Sequence, residues 1–395
     1  MADRIILHCD LNNFFASVTL LSNPTLYDMP VAICGSVEER HGIVLAKNEN
    51  AKKFGVKTAE TIWQAKAKCP NLITLPPNYK KYEEYSKAAQ RIYAKYTDLI
   101  EPFGIDECWL DVTGSQFLFG DGETLANRIR ADIRENLGIT ASVGVSFNKV
   151  FAKLGSDLKK PDATTVISRE NFKSLVWPLD VSQILFVGKS TAKKLNDNGI
   201  FTLGDVAGCN LGVLTRLLGK NGAVLKTYAE GNDTSPVVTP QKSDLPKSVG
   251  RSVTPGEDIK NESQAWEVLL ELADDISRQL HNKNIYAGGV QVHTRDTSLC
   301  VKEFSGSLAR PSNSCVTMAK KGMELLKANY KWNLPLRSLG IRAINIKNDN
   351  IAFQQDIFGA FDGEERQENI ENSINGVRDR FGVGSIKRGR NIKND

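Results

Sequence analysis

The chain has 395 residues, 41% of them hydrophobic and 25% charged, with a formal net charge of +5. That is enough apolar material for two to four packed domains and too much for a disordered chain. No run of about 18 apolar residues occurs, which argues against a membrane span. The opening MADRIILHCDLNN meets a carboxylate too early for a secretory leader, so the expected compartment is the cytoplasm. Seven scattered cysteines without a CxxC pair, and four histidines without HExxH, argue against a disulfide framework and a Cys/His zinc site.

In chain order, the apolar run Ile5 to Cys9 ends in Asp10 and is followed by aromatic and small residues. This pattern predicts a strand that delivers a carboxylate at its C-terminal end before a turn into a helix. PVAICG at 30–35 predicts a second strand, and residues 43–70 a third strand followed by a helical stretch that prolines at 70, 76 and 77 break off. Tyr82, Tyr85, Ala89, Ile92, Tyr93 and Tyr96 then recur at helical spacing. IEPFGIDECWLDVTG, residues 100–114, reads as a strand carrying Asp106 and Glu107 among apolar neighbours, where an unpaired charge is costly. Residues 122–138 form an amphipathic pattern with an acidic first turn, and 139–148 another strand. The alternation predicts an α+β core in which helices cover a sheet.

The pattern then changes. A helix ending near Val187 and Gly188, and a second one capped by Ser190 and stopped at Gly199, predict a hairpin flanked by Lys189, Lys193 and Lys194. Such a hairpin can offer backbone N–H groups to a phosphate. SPVVTPQKSDLPKS reads as an extended linker. Beyond it, residues 245–346 hold 14 Lys/Arg and 10 Asp/Glu, a local excess of +4 out of the chain's +5, in a second unit of alternating strands and helices.

Asp10 and the Asp106–Glu107 pair end or interrupt strands of what reads as one sheet. Carboxylates converging at a sheet edge repel, and hard divalent cations such as Mg²⁺ or Mn²⁺ relieve that repulsion. Two such ions, about 3.5–4 Å apart, suit a phosphoryl displacement. Adjacent strand residues point to opposite faces, so Asp106 and Glu107 can share a metal only at a strand end, turn or bulge, and a local irregularity is expected there. Singly, each feature has a plain explanation: a surface acid pair, Asp10 as a helix cap, a common glycine connection, lysines on a solvated face. Their joint occurrence favours the metal site.

Six segments in order, HCDLNNFFASV, AKKFGVKTAETIWQAKAKCPNL, IEPFGIDECWLDVTG, SVGVSFNKVFAKLGSDLKKPD, FVGKSTAKKL and LPKSVGRSVTP, resemble the Y-family lesion-bypass DNA polymerases. The likeness is greatest to the bacterial DNA polymerase IV branch and covers about 346 residues. It implies an α+β right-hand polymerase: palm at 1–11 and 78–167, fingers at 12–77, a thumb with a helix-hairpin-helix at 168–236, a linker at 237–246, an α/β little finger at 247–346 and a tail at 347–395. It also implies that Asp10, Asp106 and Glu107 are catalytic and hold two Mg²⁺ or Mn²⁺ ions together with the Leu11 carbonyl. Asn13, Phe14, Phe15, Lys52 and Lys160 would bind the nucleotide, with Phe15 as the steric gate against ribonucleotides and the two lysines on the triphosphate. Gly188, Lys189 and Lys193 of the thumb, and Ser248 and Arg251 of the little finger, would contact DNA. The implied activity is template-directed DNA synthesis from dNTPs across damaged templates, with low fidelity and processivity, by a monomer. The chain departs from the family pattern at Gly104, often Ser, at Glu49, commonly Tyr, and at Phe186, which takes the place of the first hairpin glycine.

QQDIF at 354–358 resembles the peptide by which bacterial polymerases bind the sliding clamp, the beta subunit of the replicative polymerase, with Gln354, Ile357 and Phe358 as anchors. An amphipathic helix is expected after it, over 364–382. Two other classes share parts of this pattern. A nucleotidyl cyclase needs no thumb hairpin or basic third domain, and primer extension separates it. The intact triad argues against a non-catalytic DNA-binding or clamp-recruited scaffold.

Overall fold

Period-2 patterning at the N-terminus sets the layout of the first unit. Leu7, Cys9 and Leu11 point into one apolar layer, while Ile6, His8 and Asp10 point to the opposite face of the same strand. The structure, a computed structural model, describes residues 4–37, 40, 42–239, 245–348, 362–382 and 384–386. Gln354, Ile357 and Phe358 of the QQDIF peptide lie outside the described residues.

The first unit comprises residues 1–35 and 42–241. It runs β1 (Ile6–Leu11), α1 (Phe14–Leu20), β2 (Val31–Cys34), β3 (Val44–Lys47), α2 (Glu49–Lys53), α3 (Ile62–Lys68), β4 (Ile73–Leu75), α4 (Tyr79–Tyr93), β5 (Ile100–Pro102) and β6 (Glu107–Asp111). It continues through α5 (Gln116–Phe119), α6 (Gly122–Leu137), β7 (Ala141–Ser146), α7 (Lys149–Leu158) and β8 (Thr164–Ile167) to α8 (Phe172–Val176), α9 (Lys189–Asn196), α10 (Leu203–Gly208), α11 (Leu211–Leu218) and α12 (Lys220–Ala229). The main sheet has the order β5-β6-β1-β7-β8, with β1 antiparallel to both neighbours, and a smaller sheet has the order β3-β2-β4. β1 is buried along its whole length, as a central strand covered on both faces must be.

Helices α4 and α6 cover the Leu7–Cys9–Leu11 face, and the tyrosines read at helical spacing put Tyr82 and Tyr93 fully into that core. Asp121 caps α6 by accepting from the Thr124 N–H, and Gly138 ends it at φ +67°. Helix α7, capped by Asn148, lies on the other face. It sits so close to the sheet that a Cβ on Gly144 of β7 would fall 1.9 Å from the Ala152 carbonyl oxygen, and the facing α7 residue at the approach is Gly155. This contact fixes which α7 side chains reach the end of β1.

Two expectations need correction. The hairpin's first limb is a single 3₁₀ turn, Val181–Gln183, rather than a helix ending at Gly188, and the residue capping α9 is Gly188 rather than Ser190. The backbone already bends at Phe186, at φ +68°, so the second limb starts two residues early. Residues 237–239, read as linker, are pinned to the first unit: Val237 is buried among Ile6, Trp109 and Ala152, and the Val238 N–H donates to Glu101 Oε2 at 2.8 Å. One valine and one hydrogen bond outweigh the proline-rich composition.

The second unit comprises residues 36–41 and 242–395. It holds β9 (Ser248–Val253), α13 (Glu262–Asn282), β10 (Ile285–Asp296), β11 (Val301–Ser312), α14 (Cys315–Asn329), β12 (Leu336–Asn348) and α15 (Asp362–Phe381). The sheet order is β11-β10-β12-β9, and α13 and α14 pack on one face around Leu269, Ile276, Met318 and Leu326. Helix α15 packs on this unit through Glu371, 3% exposed, whose carboxylate accepts from the Cys315 and Val316 N–H groups at 2.7 and 3.3 Å. An anion thereby sits on the positive end of α14.

The α7–sheet contact yields a stability prediction. Gly144→Ala should cost about 2–3 kcal/mol by forcing α7 off the sheet. Gly114→Ala, with nothing within 4 Å of the new Cβ, should cost less than about 1 kcal/mol. Urea melts of the two variants check the difference.

Candidate active site

The geometry of the site follows from strand pairing. Asp10 stands opposite Glu107, and His8 opposite Trp109, so both acids lie on the face that α7 covers. Asp106 precedes β6 in a bend reached through Gly104, whose φ of +155° a side chain would disfavour. The irregularity expected between the two adjacent acids is therefore present, and the glycine that departs from the family pattern supplies it. The Leu11 N–H donates to the Asp106 carbonyl at 3.1 Å. Because a strand residue's N–H and C=O face the same neighbour, the Leu11 carbonyl turns to that side as well.

A cavity of about 360 Å³ opens here, lined by Asp10, Leu11, Asn13, Phe14, Phe15, Leu45, Ala46, Lys47, Thr58, Ile105, Asp106 and Lys160. The two aromatics after Asp10 divide their roles: Phe14 is 3% exposed in the core, while Phe15 is half-buried and stacks on Tyr82 with ring centroids 4.1 Å apart and planes 9° apart. A ring held face to face against a buried tyrosine cannot swing away.

Lysines of α7 and the turn after it meet the acids. Lys160 Nζ donates to Asp10 Oδ2 at 2.7 Å and to Asp157 Oδ1 at 2.8 Å. Lys153 Nζ donates to Glu107 Oε1 at 2.6 Å, with Asp157 Oδ2 at 3.1 Å and Asp10 Oδ2 at 3.5 Å. Asp10 is only 6% exposed. Burial first, and then the Asp10 charge, raise the Asp106 carboxyl above its usual range. Burial and the hydrogen bond with Asp10 push Glu107 up to about 7, against the opposing pull of Lys153. Behind them His8 Nδ1 pairs with Ser156 Oγ at 2.8 Å, and burial, with Lys153 and Lys160 nearby, holds its pKa well below the usual value, which keeps it neutral.

Among the described residues, no three acid, histidine or cysteine side chains are grouped so that they could hold a metal ion, and Glu107 and Asp10 are paired with Lys153 and Lys160 instead. The donor set is nonetheless made of hard oxygens, two carboxylates and a carbonyl at one cavity with a third carboxylate beside Asp10, and it fits a hard divalent cation.

Other expected residues fall elsewhere. Lys52 does not line the cavity; it is exposed and pairs with Glu49 at 3.4 Å. Glu49 also accepts from Asn13 Nδ2 at 3.0 Å, so its carboxylate is partnered rather than loose near the cavity. Lys47, five residues earlier at the end of β3, lines the cavity instead, with Nζ 3.0 Å from Thr58 Oγ1. The period of β3 puts Leu45 and Lys47 on one face, a signal that could have found it. Asn12 was also missed. Its side chain donates to Ser142 Oγ at 2.9 Å and accepts from the Asp162 N–H at 2.8 Å, tying the end of β1 to the loop that carries Lys160.

Gly188 caps α9, and the exposed Lys189 and Lys193 follow it, Lys193 paired with Asp197 at 2.8 Å. Phe186 is 72% exposed just before the cap. In the second unit, Ser248 and Arg251 of β9 line a shallow groove with Gln291, His293, Glu303 and Arg342, and none of these last four was anticipated.

The impB/mucB/samB family matches residues 9–157, and its C-terminal domain matches residues 246–357. The chain is 45% identical to DNA polymerase IV of Acetivibrio thermocellus over 98% of this chain and 97% of that protein, and 35% identical to DNA polymerase IV 1 of Bacillus subtilis over 99% and 94%. A solved Y-family DNA polymerase chimera superposes with a TM-score of 0.77 at 27% identity, covering 87% of this chain and 99% of the chimera. The sheet, its acidic end and these likenesses define a DNA-directed DNA polymerase with the α+β, multi-domain right-hand fold. The chain belongs to the Y family of lesion-bypass DNA polymerases, in its DNA polymerase IV branch. No helix among the described residues is long and apolar enough to cross a membrane.

The charge balance gives a pH prediction. Glu107 rises from an ordinary value of 4.5 to about 7 on folding, so its contribution to stability is fully present below 4.5 and is lost as pH rises through 7. A divalent ion held by these acids would need the ionised form and would restore what is lost. Mg²⁺ should therefore raise the melting temperature more at about pH 8 than at about pH 6; thermal melts with Mg²⁺ and with chelator at both pH values check this.

Proposed function

We propose that the enzyme transfers a nucleotidyl group from a dNTP to a primer 3′-hydroxyl on a DNA template, at a centre of Asp10, Asp106, Glu107 and the Leu11 carbonyl that holds two Mg²⁺ ions, with Mn²⁺ able to replace them. The observation that carries this reading is the single cavity in which Asp10 and Asp106 meet Phe15 and Lys160. Bound there, the ions supply Lewis-acid stabilisation of the attacking and leaving oxygens. The 3′-hydroxyl oxygen attacks the α-phosphate and its proton passes to solvent, the bond to the bridging oxygen breaks, and pyrophosphate leaves with added negative charge.

The chain's own residues do the rest. Lys160, released from Asp10, and Lys47 on the facing strand supply positive charge toward the triphosphate, with Asn13 and Phe14 shaping the floor beneath it. Lys52 takes part once its pair with Glu49 opens. Phe15, braced by Tyr82, leaves no space for a ribose 2′-hydroxyl, which selects deoxynucleotides. The α9 N-terminus at Gly188, with Lys189 and Lys193, grips the DNA backbone, as do Ser248 and Arg251 from the second unit.

In family terms the palm is 1–11 and 78–167, the fingers 12–77, the thumb 168–236, the linker 240–246 once the pinned residues 237–239 are set apart, the little finger 247–346 and the tail 347–395. The fingers sheet is small, with three short strands of three or four residues. A light cover over the base pair admits distorted templates at a cost in fidelity. QQDIF at 354–358 recruits this monomer to the sliding clamp in the cytoplasm and compensates for low intrinsic processivity.

Primer extension with Mg²⁺ and dNTPs tests the reading. Asp106→Ala should lower the rate about a thousandfold, a loss of roughly 4 kcal/mol of transition-state stabilisation. Phe15→Ala should keep dNTP extension and raise ribonucleotide entry roughly a hundredfold. Undiminished extension by Asp106→Ala would overturn the metal-centred mechanism.

A further inference from the structure

The function proposed above gives Lys160 a task on the triphosphate and leaves Lys153 without one. Lys153 does not line the nucleotide cavity, and its side chain is 13% exposed between α7 and the sheet. It nevertheless makes the shortest contact to the acids, 2.6 Å to Glu107 Oε1, and lies 3.5 Å from Asp10 Oδ2. Asp157, one turn further along α7, holds both Lys153 and Lys160 from the other side at 3.1 and 2.8 Å. Two ammonium groups thus stand against carboxylates that the mechanism gives to two divalent ions.

We propose that Lys153 is a positioning residue that acts as an internal cation: it holds Glu107 and Asp10 together before metal arrives and yields their oxygens to the ion, with Asp157 as the seat that keeps it. Metal affinity is then set by an exchange rather than by the carboxylates alone. This inference rests on the metal-centred reading of the same acids.

The sign of one measurement separates this role from that of a structural strut. In the metal-free state Lys153 neutralises repulsion between Asp10 and Glu107. In the metal-bound state the same charge faces a dication at close range and is unfavourable. Removing it raises the energy of the first state and lowers that of the second, and both changes tighten metal binding. A strut has the opposite signature, because its loss lets the carboxylates scatter and weakens binding.

The test is Mn²⁺ binding by the full chain, without DNA or nucleotide, followed by the paramagnetic resonance signal of free Mn²⁺ at about pH 8.5. That pH lies well above the ordinary carboxylate range, so a proton does not take the lysine's place. Lys153→Met should bind Mn²⁺ about tenfold more tightly than wild type, the scale of one unit charge removed from beside a dication in a partly solvated site. Lys153→Arg, which keeps the charge, should stay near the wild-type affinity. Asp157→Asn, on the exposed shoulder of α7, should bind several-fold more weakly, since both lysines are then given over to the acids. Unchanged or weaker binding by Lys153→Met overturns the proposal, and so does unchanged or tighter binding by Asp157→Asn, which serves if the first variant does not fold. A wild-type site abolished by Asp10→Ala but not tightened in Lys153→Met refutes this inference alone. Absence of any Asp10-dependent Mn²⁺ site refutes the metal-centred reading and this inference with it.

Discussion

Acids at the end of a sheet are stable only if cations stand beside them, and here the cations come from one helix and the turn that follows it. Asp10 and Glu107 face each other across β1 and β6, and α7 with the turn after it brings Lys153 and Lys160 against them. The charges are largely removed from water, so neither set could be kept without the other. The order of the site depends on that balance. It keeps the acids in place, leaves His8 neutral behind them, and directs Lys160 to the edge of the cavity beside Asp10.

The balance depends in turn on how closely α7 lies on the sheet. Gly144 and Gly155 allow backbone to approach backbone, and Asn148 fixes where the helix begins. A bulkier contact would carry the lysines away from the carboxylates. Asn12 joins the other end of the arrangement, since one side chain ties the end of β1 to Ser142 and to the loop after Lys160. The packed core and the chemistry therefore share residues, and the active site is the edge of the hydrophobic core rather than an addition to it.

Much of this could be read from the sequence. The apolar run ending in Asp10, the strand that carries Glu107 and the amphipathic pattern of α6 with its acidic first turn are local patterns with few alternatives, and the irregularity at Asp106 followed from the alternation of side chains. The resemblance in six ordered segments extended that reading to the whole polymerase. What stayed hidden depends on tertiary placement. Lys153 looks like any lysine on a helix until the glycine contact sets the face it lies on. Lys47 and Lys52 are equally plausible by composition, and only the alternation of β3 and the pairing of Lys52 with Glu49 separate them. The burial of Val237 and the start of α9 at Gly188 were missed for the same reason, because a single long-range contact or an upstream bend decides them.

Anomalous diffraction from crystals of the enzyme with primer–template DNA, a non-hydrolysable dNTP analogue and Mn²⁺ tests the central claim most directly. The account predicts metal peaks against Asp10 and Asp106, with Lys160 moved off Asp10 onto the triphosphate and Lys153 withdrawn to Asp157. Metal peaks away from these acids, with both lysines still on Asp10 and Glu107, would contradict it.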